Sequence, residues 1–272
     1  ARFLRYVVGG RQFTEYVLAV QTGTAVPHIS GGQIKAFEFV LPDIAVQRSI
    51  ASILGALDDK IELNRRTNET LEAICQAISA DYGHRSRHET MLAEIVPVIT
   101  GVDHALKHLK QWMAPQKRGT DWQNFFGSRN RVVPQPLGVI GIIVPWNFPI
   151  NLSFMVLIDA FAAGNRAMVK MSENSRHLAK LLIDKMPLYF APDKLAFFDE
   201  TGGVGEAFSR LPLDHLVFTG SAQTARAVMS AAANHLCPVT LELGGKSPAV
   251  VCDDFDLNLA AERLWFAKCF NA

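Results

Sequence analysis

The feature that most constrains the fold is a regular alternation of strand-like and helix-like runs between residues 138 and 252. Short, continuous apolar runs predict buried strands, while apolar residues every three or four positions predict helices. The predicted strands are Gly138–Val144, Arg166–Lys170, Leu195–Phe198, His215–Phe218, Val239–Leu243 and Ala249–Cys252. The predicted helices between them are Leu152–Ala163, Arg176–Tyr189, Gly205–Arg210 and Ala222–Asn234. This alternation predicts an α/β fold with a doubly wound parallel sheet.

The candidate functional residues follow these strands, because ligands of doubly wound sheets bind beyond the carboxyl ends of the strands. Asn147 follows the first strand within the turn Pro145–Pro149, whose two prolines stiffen the backbone and leave the Asn147 amide as a positioned donor. Lys170 and Glu173 follow the second strand and supply a donor and a carboxylate suited to ribose hydroxyls. The structural alternatives are that Asn147 caps the next helix and that Lys170 and Glu173 form a surface ion pair.

Two later strands end in further candidate residues. Gly220 and Ser221 form a small-residue turn into a helix, where backbone amides would meet a phosphate; the alternative is an ordinary strand–helix turn. Glu242 lies between Leu241 and Leu243, and we expect the loss of solvation to raise the pKa of this carboxyl toward that of a useful base. The alternative is a Glu242 carboxylate that a neighbouring backbone group satisfies.

Four sequence motifs occur in order at the ends of these strands. They are Pro145-Trp146-Asn147-Phe148-Pro149, Val169-Lys170-Met171-Ser172-Glu173, Phe218-Thr219-Gly220-Ser221 and Glu242-Leu243-Gly244-Gly245-Lys246-Ser247-Pro248. Together they closely resemble the NAD(P)-dependent aldehyde dehydrogenase family. The segment Asp81–Thr90 narrows the resemblance to the coniferyl aldehyde dehydrogenase branch. The resemblance covers residues 79–272 and implies a Rossmann-like cofactor-binding domain of the aldehyde dehydrogenase type.

This resemblance implies an oxidoreductase that converts an aldehyde, aromatic in the coniferyl branch, to a carboxylic acid with NAD or NADP as cofactor. It makes Asn147 a donor to the oxyanion and Glu242 the general base that activates water. It places the cofactor against Pro145, Trp146, Lys170, Glu173, Gly220, Ser221, Leu243 and Gly244. In this arrangement Lys170 and Glu173 hold the adenosine ribose, and Ser221 lies near the pyrophosphate.

The nucleophile of the resembled family is a cysteine in a Gly-Gln-x-Cys motif that directly follows a Phe-Asn-Ala-like segment. The sequence ends on Phe270–Ala272, so we expect residues 1–272 to lack this cysteine and to give no turnover. Cys269 falls in a helix and is predicted to pack there, while Cys237 and Cys252 are predicted to be inert core thiols. No metal site is predicted, because the cysteines lack Cys-x-x-Cys spacing.

Residues 1–78 carry a different pattern. Apolar positions step by four and three through Ile50, Leu54, Leu57, Ile61, Leu71, Cys75 and Ile78. This seam, which also carries two asparagines, predicts a long coiled-coil-like helix over residues 47–78. The helix either pairs with a partner helix or packs on its own domain. Upstream, Lys35–Leu41 alternates before Pro42 and predicts a strand.

A second resemblance rests on segments within this region. They are Gly23–Ser30, Phe39–Pro42, Gln47–Leu54 and Leu57–Glu62. They closely resemble the end of a DNA-recognition domain in type I restriction-modification specificity subunits. The resemblance implies a small α+β fragment whose long helix docks methyltransferase subunits, with most of the DNA-reading portion preceding Ala1. The whole sequence is therefore expected to be a chimeric or truncated reading frame joined near residue 78, with an interaction or DNA-specificity module as the alternative function.

Composition excludes several classes of protein. The chain has 27 Lys and Arg residues against 26 Asp and Glu residues, so its formal charge of +1 gives no general basic field for nucleic acid or membrane binding. Its apolar runs fall short of the roughly 20 residues that a membrane-spanning helix needs. Four cysteines without disulfide-scaffold density suit a reducing compartment. We therefore expect a cytoplasmic protein, and no membrane partner.

Overall fold

The chain divides into two units, Ala1–Leu71 and Glu72–Ala272. The structure is a computed structural model that describes residues 2–22 and 28–270. Residues 23–27, part of a segment behind the second resemblance, lie outside the described residues. Among the described residues, no helix has both the length and the apolar character needed to cross a bilayer.

The first unit is built from helices. They are α1 (Arg2–Val8), α2 (Arg11–Val20), α3 (Gly31–Lys35) and the first part of α4 (Ile44–Tyr82). The predicted strand Lys35–Leu41 is wrong: its first residue ends α3, and the residues that follow have no regular structure. Ser30 and Gln33 form a capping box that starts α3. The ring of Phe37 then packs edge-on against Phe13 with centroids 5.0 Å apart, so this segment is held by side-chain packing rather than by a strand partner.

Helix α4 confirms the long helix that the seam predicts and extends it at both ends, to Ile44 and Tyr82. Asp43 begins it, because its carboxylate accepts the backbone N–H groups of Ala45 and Val46. The seam is divided along the helix. Leu57 and Ile61 are 54% and 65% exposed, whereas Cys75 and Ile78 are buried in the second unit.

The second unit continues with a helical run that contains a widened turn. Helix α5 (Arg87–Thr90) leads into a π-helical turn (Met91–Ile95) and then α6 (Val96–Trp112). Such π-turns arise from one extra residue in a helix and are frequent at functional sites.

Two short strands follow, β1 (Gln116–Arg118) and β2 (Asn130–Val132). They pair antiparallel, and sequence reasoning did not predict them.

The predicted doubly wound parallel sheet is confirmed. Its strands are β3 (Val139–Ile143), β4 (Arg166–Lys170), β5 (Leu195–Phe198), β6 (His215–Gly220) and β7 (Val239–Leu243). All four pairings are parallel, in the order β5-β4-β3-β6-β7. The connecting helices are α7 (Pro149–Ala162), α8 (Arg176–Lys185, followed by a 3-10 turn at Met186–Leu188), α9 (Val204–Ser209) and α10 (Ala222–Ala233). The last helix is α11 (Leu257–Cys269).

The sixth predicted strand, Ala249–Cys252, is wrong. Residues 244–252 have no regular structure and are exposed, and β7 is an edge strand paired only with β6 among the described residues. An apolar run becomes a strand only where a neighbouring strand supplies hydrogen-bond partners, and this segment has none in the described part of the chain.

One face of the sheet carries a compact core. Ile143, Leu216 and Phe218 pack there against Phe208 of α9 and Val228 of α10. The core is tight at β3, where a Cβ on Gly141 would collide with Leu213 and lie 2.9 Å from Cδ1 of Leu216. The absence of a side chain at Gly141 therefore lets the helix layer approach the middle of the sheet.

Candidate functional site

The sheet has a topological switch point between β3 and β6. From β3 the chain moves outward to β4 and β5, and then returns to add β6 and β7 on the other side. Asn147, Lys170, Ser221 and Glu242 lie at or just after the carboxyl ends of four of these strands, and thus at one edge of the sheet. Lys170 and Ser221 are separated by the single strand β3, about 10 Å at the usual strand spacing. The structure thus brings the predicted residues to one edge; their roles stay predictions.

Lys170 is buried, and its ammonium pairs with the carboxylate of Glu200 rather than with Glu173. Glu200 also accepts the backbone N–H groups of Gly203, at 3.0 Å, and Gly205, at 2.9 Å. Burial acts to raise the pKa of Glu200, but the hydrogen bond and charge of Lys170 and the two amides outweigh it and hold the pKa below its usual value. The surface ion pair considered as an alternative is not formed, because Glu173 is exposed and bonded to Ser172 Oγ at 3.3 Å.

The turn after β5 shapes this pair. Gly202 and Gly203 have φ values of 81° and 90°, in the left-handed region that favours glycine. This conformation lets the Gly203 amide face the Glu200 carboxylate. Sequence reasoning missed Glu200, although it lies two residues after a predicted strand, where the rule used for Lys170 would have found it.

A polar cleft of about 670 Å³ borders this pair. Its walls include Ser172, Arg176, Lys180, Asp199, Glu200 and Thr201. Cationic, anionic and hydroxyl side chains therefore meet in one cleft at the ends of β4 and β5. Such a set suits a ligand that carries both hydroxyl and anionic groups.

Ser221 is the N-cap of α10, and its hydroxyl accepts the backbone N–H of Thr224 at 3.2 Å. This capping is the ordinary role considered for the turn. The backbone at Gly220 has no room for a side chain, since a Cβ there would lie 2.6 Å from Cζ of Phe218. The missing side chain at Gly220 therefore makes room for the ring of Phe218, which is buried in the core.

The environment of Glu242 differs from the predicted one. It is exposed rather than desolvated between its leucine neighbours, and Leu243 is itself 44% exposed. The reason is that β7 is an edge strand, paired only with β6 among the described residues.

Lys170 and Glu242 lie on opposite faces of the sheet. Side chains alternate along a strand, and Lys170 shares its face with Met168, which packs on the α9–α10 side. Glu242 lines an open groove on the other face with Asp159 and Ala160 of α7. A ligand contacting both residues would therefore cross the carboxyl edge of the sheet.

Asn147 lies in the turn between β3 and α7. The N-cap of α7 is Phe148, without a side-chain capping bond, so Asn147 does not take the capping role considered for it. The Asn147 carbonyl accepts hydrogen bonds from the hydroxyl of Tyr82 and from Nη1 of Arg85, the latter at 3.5 Å. Sequence reasoning missed Arg85 and its ion-pair partner Glu94, which are distant from this turn in sequence.

The four cysteines are unpaired. Cys75 and Cys237 are buried, and burial raises the pKa of both thiols. Cys252 and Cys269 are exposed, so the predictions that Cys252 is a core thiol and that Cys269 packs in its helix are wrong. The described residues hold no group of three or more side chains able to bind a metal ion.

Comparison with known proteins gives two family matches. The profile of the aldehyde dehydrogenase family matches residues 51–272. The profile of the type I restriction modification DNA specificity domain matches residues 11–73. The two matches overlap within α4 over residues 51–73.

Individual proteins agree with the longer match. A probable coniferyl aldehyde dehydrogenase of Pseudomonas aeruginosa is 49% identical over 201 residues, which are 74% of this chain and 42% of the relative. The substrate-bound structure of Staphylococcus aureus AldH superimposes with a TM-score of 0.65 at 30% identity, covering 75% of this chain and 46% of that one. The complex of PnpE with nicotinamide adenine dinucleotide also gives 0.65, at 25% identity, covering 77% and 42%. The chain thus spans less than half the length of these proteins.

Proposed function

Because this chain belongs to the aldehyde dehydrogenase family, whose members use NAD or NADP, we propose that its second unit binds such a cofactor across the carboxyl edge of the sheet. One observation carries the proposal: a buried, paired Lys170 and the Gly220–Ser221 turn lie about 10 Å apart on either side of the switch point. We propose oxidation of an aromatic aldehyde as the reaction, because a relative that is 49% identical to this chain is a probable coniferyl aldehyde dehydrogenase.

The residues present suit the proposed cofactor. Lys170, held by Glu200, and the exposed Glu173 offer a donor and an acceptor to ribose hydroxyls. The backbone at Gly220 and Ser221 would take the pyrophosphate at the start of α10, where the N–H groups of the first helical turn lie. Pro145, Trp146, Leu243 and Gly244 would complete the walls at the ends of β3 and β7. When bound, the cofactor supplies a hydride acceptor.

We propose roles in the chemical step for two side chains, those of Asn147 and Glu242. Asn147 would donate from its carboxamide to the substrate oxygen as negative charge develops there. Glu242 would take a proton from a water molecule, and its position in an open groove gives water access to the carboxylate. Both lie at the same edge as the cofactor residues.

We propose that none of the four cysteines is the attacking nucleophile. The thiols of Cys75 and Cys237 are buried and have raised pKa values, which disfavours the reactive thiolate. Cys252 and Cys269 are exposed, in an irregular segment and at the last turn of α11, and neither follows a strand of the sheet. A polypeptide of these 272 residues should therefore bind the cofactor without oxidising aldehydes.

The test is a binding titration together with an activity assay on the purified 272-residue polypeptide. We expect quenching of tryptophan fluorescence by NADH or NADPH, weakened in Lys170→Met, and no NAD(P)H formation with coniferyl aldehyde, benzaldehyde or hexanal. Lys185→Met, an exposed lysine at the end of α8, is the matched control. Binding that is equally strong in Lys170→Met would contradict the cofactor site. Any turnover would contradict the expected inactivity, and turnover lost in one single cysteine-to-alanine variant would contradict the proposal that none of the four cysteines is the nucleophile.

A second candidate function rests on the first unit. Residues 11–73 match the restriction specificity domain, and Leu57 and Ile61 leave an apolar stripe exposed on α4. We propose that this stripe pairs with a partner helix, as in an interaction module of a restriction-modification complex, and that the chain joins two unrelated families near residue 78. Co-purification with a type I methyltransferase subunit, abolished by Leu57→Lys, would favour this function.

The proposed setting is the cytoplasm. All four cysteines are unpaired, and two of them are exposed, which is typical of proteins kept in a reducing compartment. Fractionation of cells that produce the native protein would test this.

A further inference from the structure

Glu94 has a buried carboxylate that caps another helix, α7. It lies in the π-turn Met91–Ile95 with none of its side chain exposed. Its Oε2 accepts the backbone N–H groups of Ile150, at 3.1 Å, and Asn151, at 2.8 Å, in the first turn of α7. These N–H groups have no partner within their own helix, so the Glu94 carboxylate takes the place of a capping side chain and complements the positive helix end.

Arg85 connects this carboxylate to the turn before α7. Its side chain is 1% exposed, and Nη1 donates to Glu94 Oε1 at 3.0 Å. The same nitrogen reaches the Asn147 carbonyl at 3.5 Å, which the Tyr82 hydroxyl also contacts. The guanidinium lies 4.7 Å from the Tyr82 ring centroid and 5.7 Å from that of Phe148. Arg85 therefore links the Glu94 carboxylate to the backbone and aromatic side chains around Asn147.

The backbone is thereby fixed on both sides of Asn147. Before Asn147, the carbonyl of Trp146 accepts a hydrogen bond from the Tyr82 hydroxyl at 3.3 Å. After it, the Asn147 carbonyl accepts from Tyr82 and Arg85, and Glu94 holds the start of α7. The Asn151 side chain adds a bond of 3.0 Å to the carbonyl of Ala93 in the π-turn. Asn147 sits between these anchors, so they fix the backbone from which its carboxamide extends.

This arrangement is a poor source of stability. Burial raises the pKa of Glu94, against the opposing effects of the two amides and Arg85, which shows that the site is costly for a charge. Nε and Nη2 of Arg85 are buried without a hydrogen-bond partner in the described residues. Replacing buried ion pairs by neutral side chains is often neutral or stabilising. What the pair does provide is a fixed geometry at the turn.

We propose that Arg85 and Glu94 are positioning residues that fix the Asn147 turn for its part in the reaction. The inference rests on the proposed function of Asn147. They act through the backbone of the turn and do not themselves contact substrate.

The experiment separates position from stability in the 272-residue polypeptide. Arg85→Met with Glu94→Gln removes the charge pair, while the amide oxygen introduced by Glu94→Gln can still accept the α7 backbone N–H groups. Asn165→Ala is the matched control, because buried Asn165 accepts two backbone N–H groups, of Leu137 and Gly138, at the other end of β3. The readouts are the water-exchange rate of the Asn147 carboxamide by NMR, assigned with Asn147→Ala, the NADH dissociation constant, and the urea midpoint.

We expect the double variant to keep its urea midpoint, to speed exchange of the Asn147 carboxamide about tenfold and to weaken NADH binding about tenfold, a change of about 1.4 kcal/mol. The control should lower the midpoint and leave exchange at Asn147 unchanged. Arg85→Lys, which keeps a charge beside Glu94, serves if the double variant does not fold and should give a smaller change of the same kind. Unchanged exchange at Asn147 in a folded variant, or equal changes in the control, would overturn the proposal. Failure of the wild type to bind NADH would instead count against the proposed function, while the exchange rates would still decide the positioning role.

Discussion

Removing the ammonium of Lys170 tests whether the pair with Glu200 supports the second unit as well as the cofactor site. The Lys170 and Glu200 side chains are 8% and 18% exposed, so both charges lie largely out of water. Lys170→Met keeps an unbranched apolar stem but lacks the terminal ammonium, and it leaves the Glu200 carboxylate with two amide donors but no cation.

The size of the effect follows from these contacts. Breaking a fully buried pair by removing one partner costs about 3–5 kcal/mol, because an uncompensated charge remains. Glu200 is partly reached by water and keeps its bonds to Gly203 and Gly205, so we expect a smaller loss, about 2 kcal/mol. Adding Glu200→Gln removes the stranded charge, and the double variant should be destabilised by less than about 1 kcal/mol. The loss in the double variant should therefore be smaller than the summed losses of the two single variants by at least about 1 kcal/mol.

Urea unfolding followed by tryptophan fluorescence measures the free energy of unfolding of the second unit alone. All four tryptophans of the chain lie there: Trp112, Trp122, Trp146 and Trp265. The two single variants, the double variant and the wild type complete a double-mutant cycle at pH 7. Additive effects, within about 0.5 kcal/mol, would refute the reasoning, because they would show that the two side chains do not stabilise each other in solution.

Three further outcomes are expected. The second unit should lose stability as the pH falls below 4.5, the ordinary pKa of a glutamate carboxyl, because folding lowers the pKa of Glu200. The stabilisation that Glu200 provides is therefore complete only above pH 4.5. Acid titration of the wild type should show a larger loss of stability than acid titration of Lys170→Met. Gly141→Ala should lower the free energy of unfolding by about 1–3 kcal/mol, since the new methyl collides with Leu213, and an unchanged urea midpoint would contradict this. Cys252 and Cys269 should react with a thiol reagent in the native protein, and the buried thiols of Cys75 and Cys237 only after unfolding. Rapid reaction of all four thiols in the native protein would show that Cys75 and Cys237 are not buried.

The parallel sheet was predictable because its strands are short apolar runs separated by helical periodicity. Arg166–Lys170, Leu195–Phe198 and Val239–Leu243 have the predicted bounds. The two strands that do not form failed for a tertiary reason: alternation or apolarity at Lys35–Leu41 and Ala249–Cys252 says nothing about whether a partner strand is adjacent.

The candidate site was predictable in position but not in environment. The rule that ligands meet the carboxyl ends of strands brings Asn147 and Lys170 to one edge. The local sequence did not show that Glu200 would be the partner of Lys170, since that contact joins two different strands. Nor did the leucines beside Glu242 reveal that β7 would be an exposed edge. Burial of a strand residue depends on the layers above it, which its neighbours in sequence do not specify.

The π-turn at Met91–Ile95 also makes this part of the chain sensitive to insertions and deletions. Successive residues of an α-helix are about 100° apart around its axis, so deleting one residue, such as the exposed Leu92, would convert the turn to regular helix and rotate everything before it by that angle relative to α6. Arg85 would then face away from Glu94. Homologous genes that keep this pair should therefore conserve the number of codons between them, while the exposed loop joining β1 and β2 is free to vary in length.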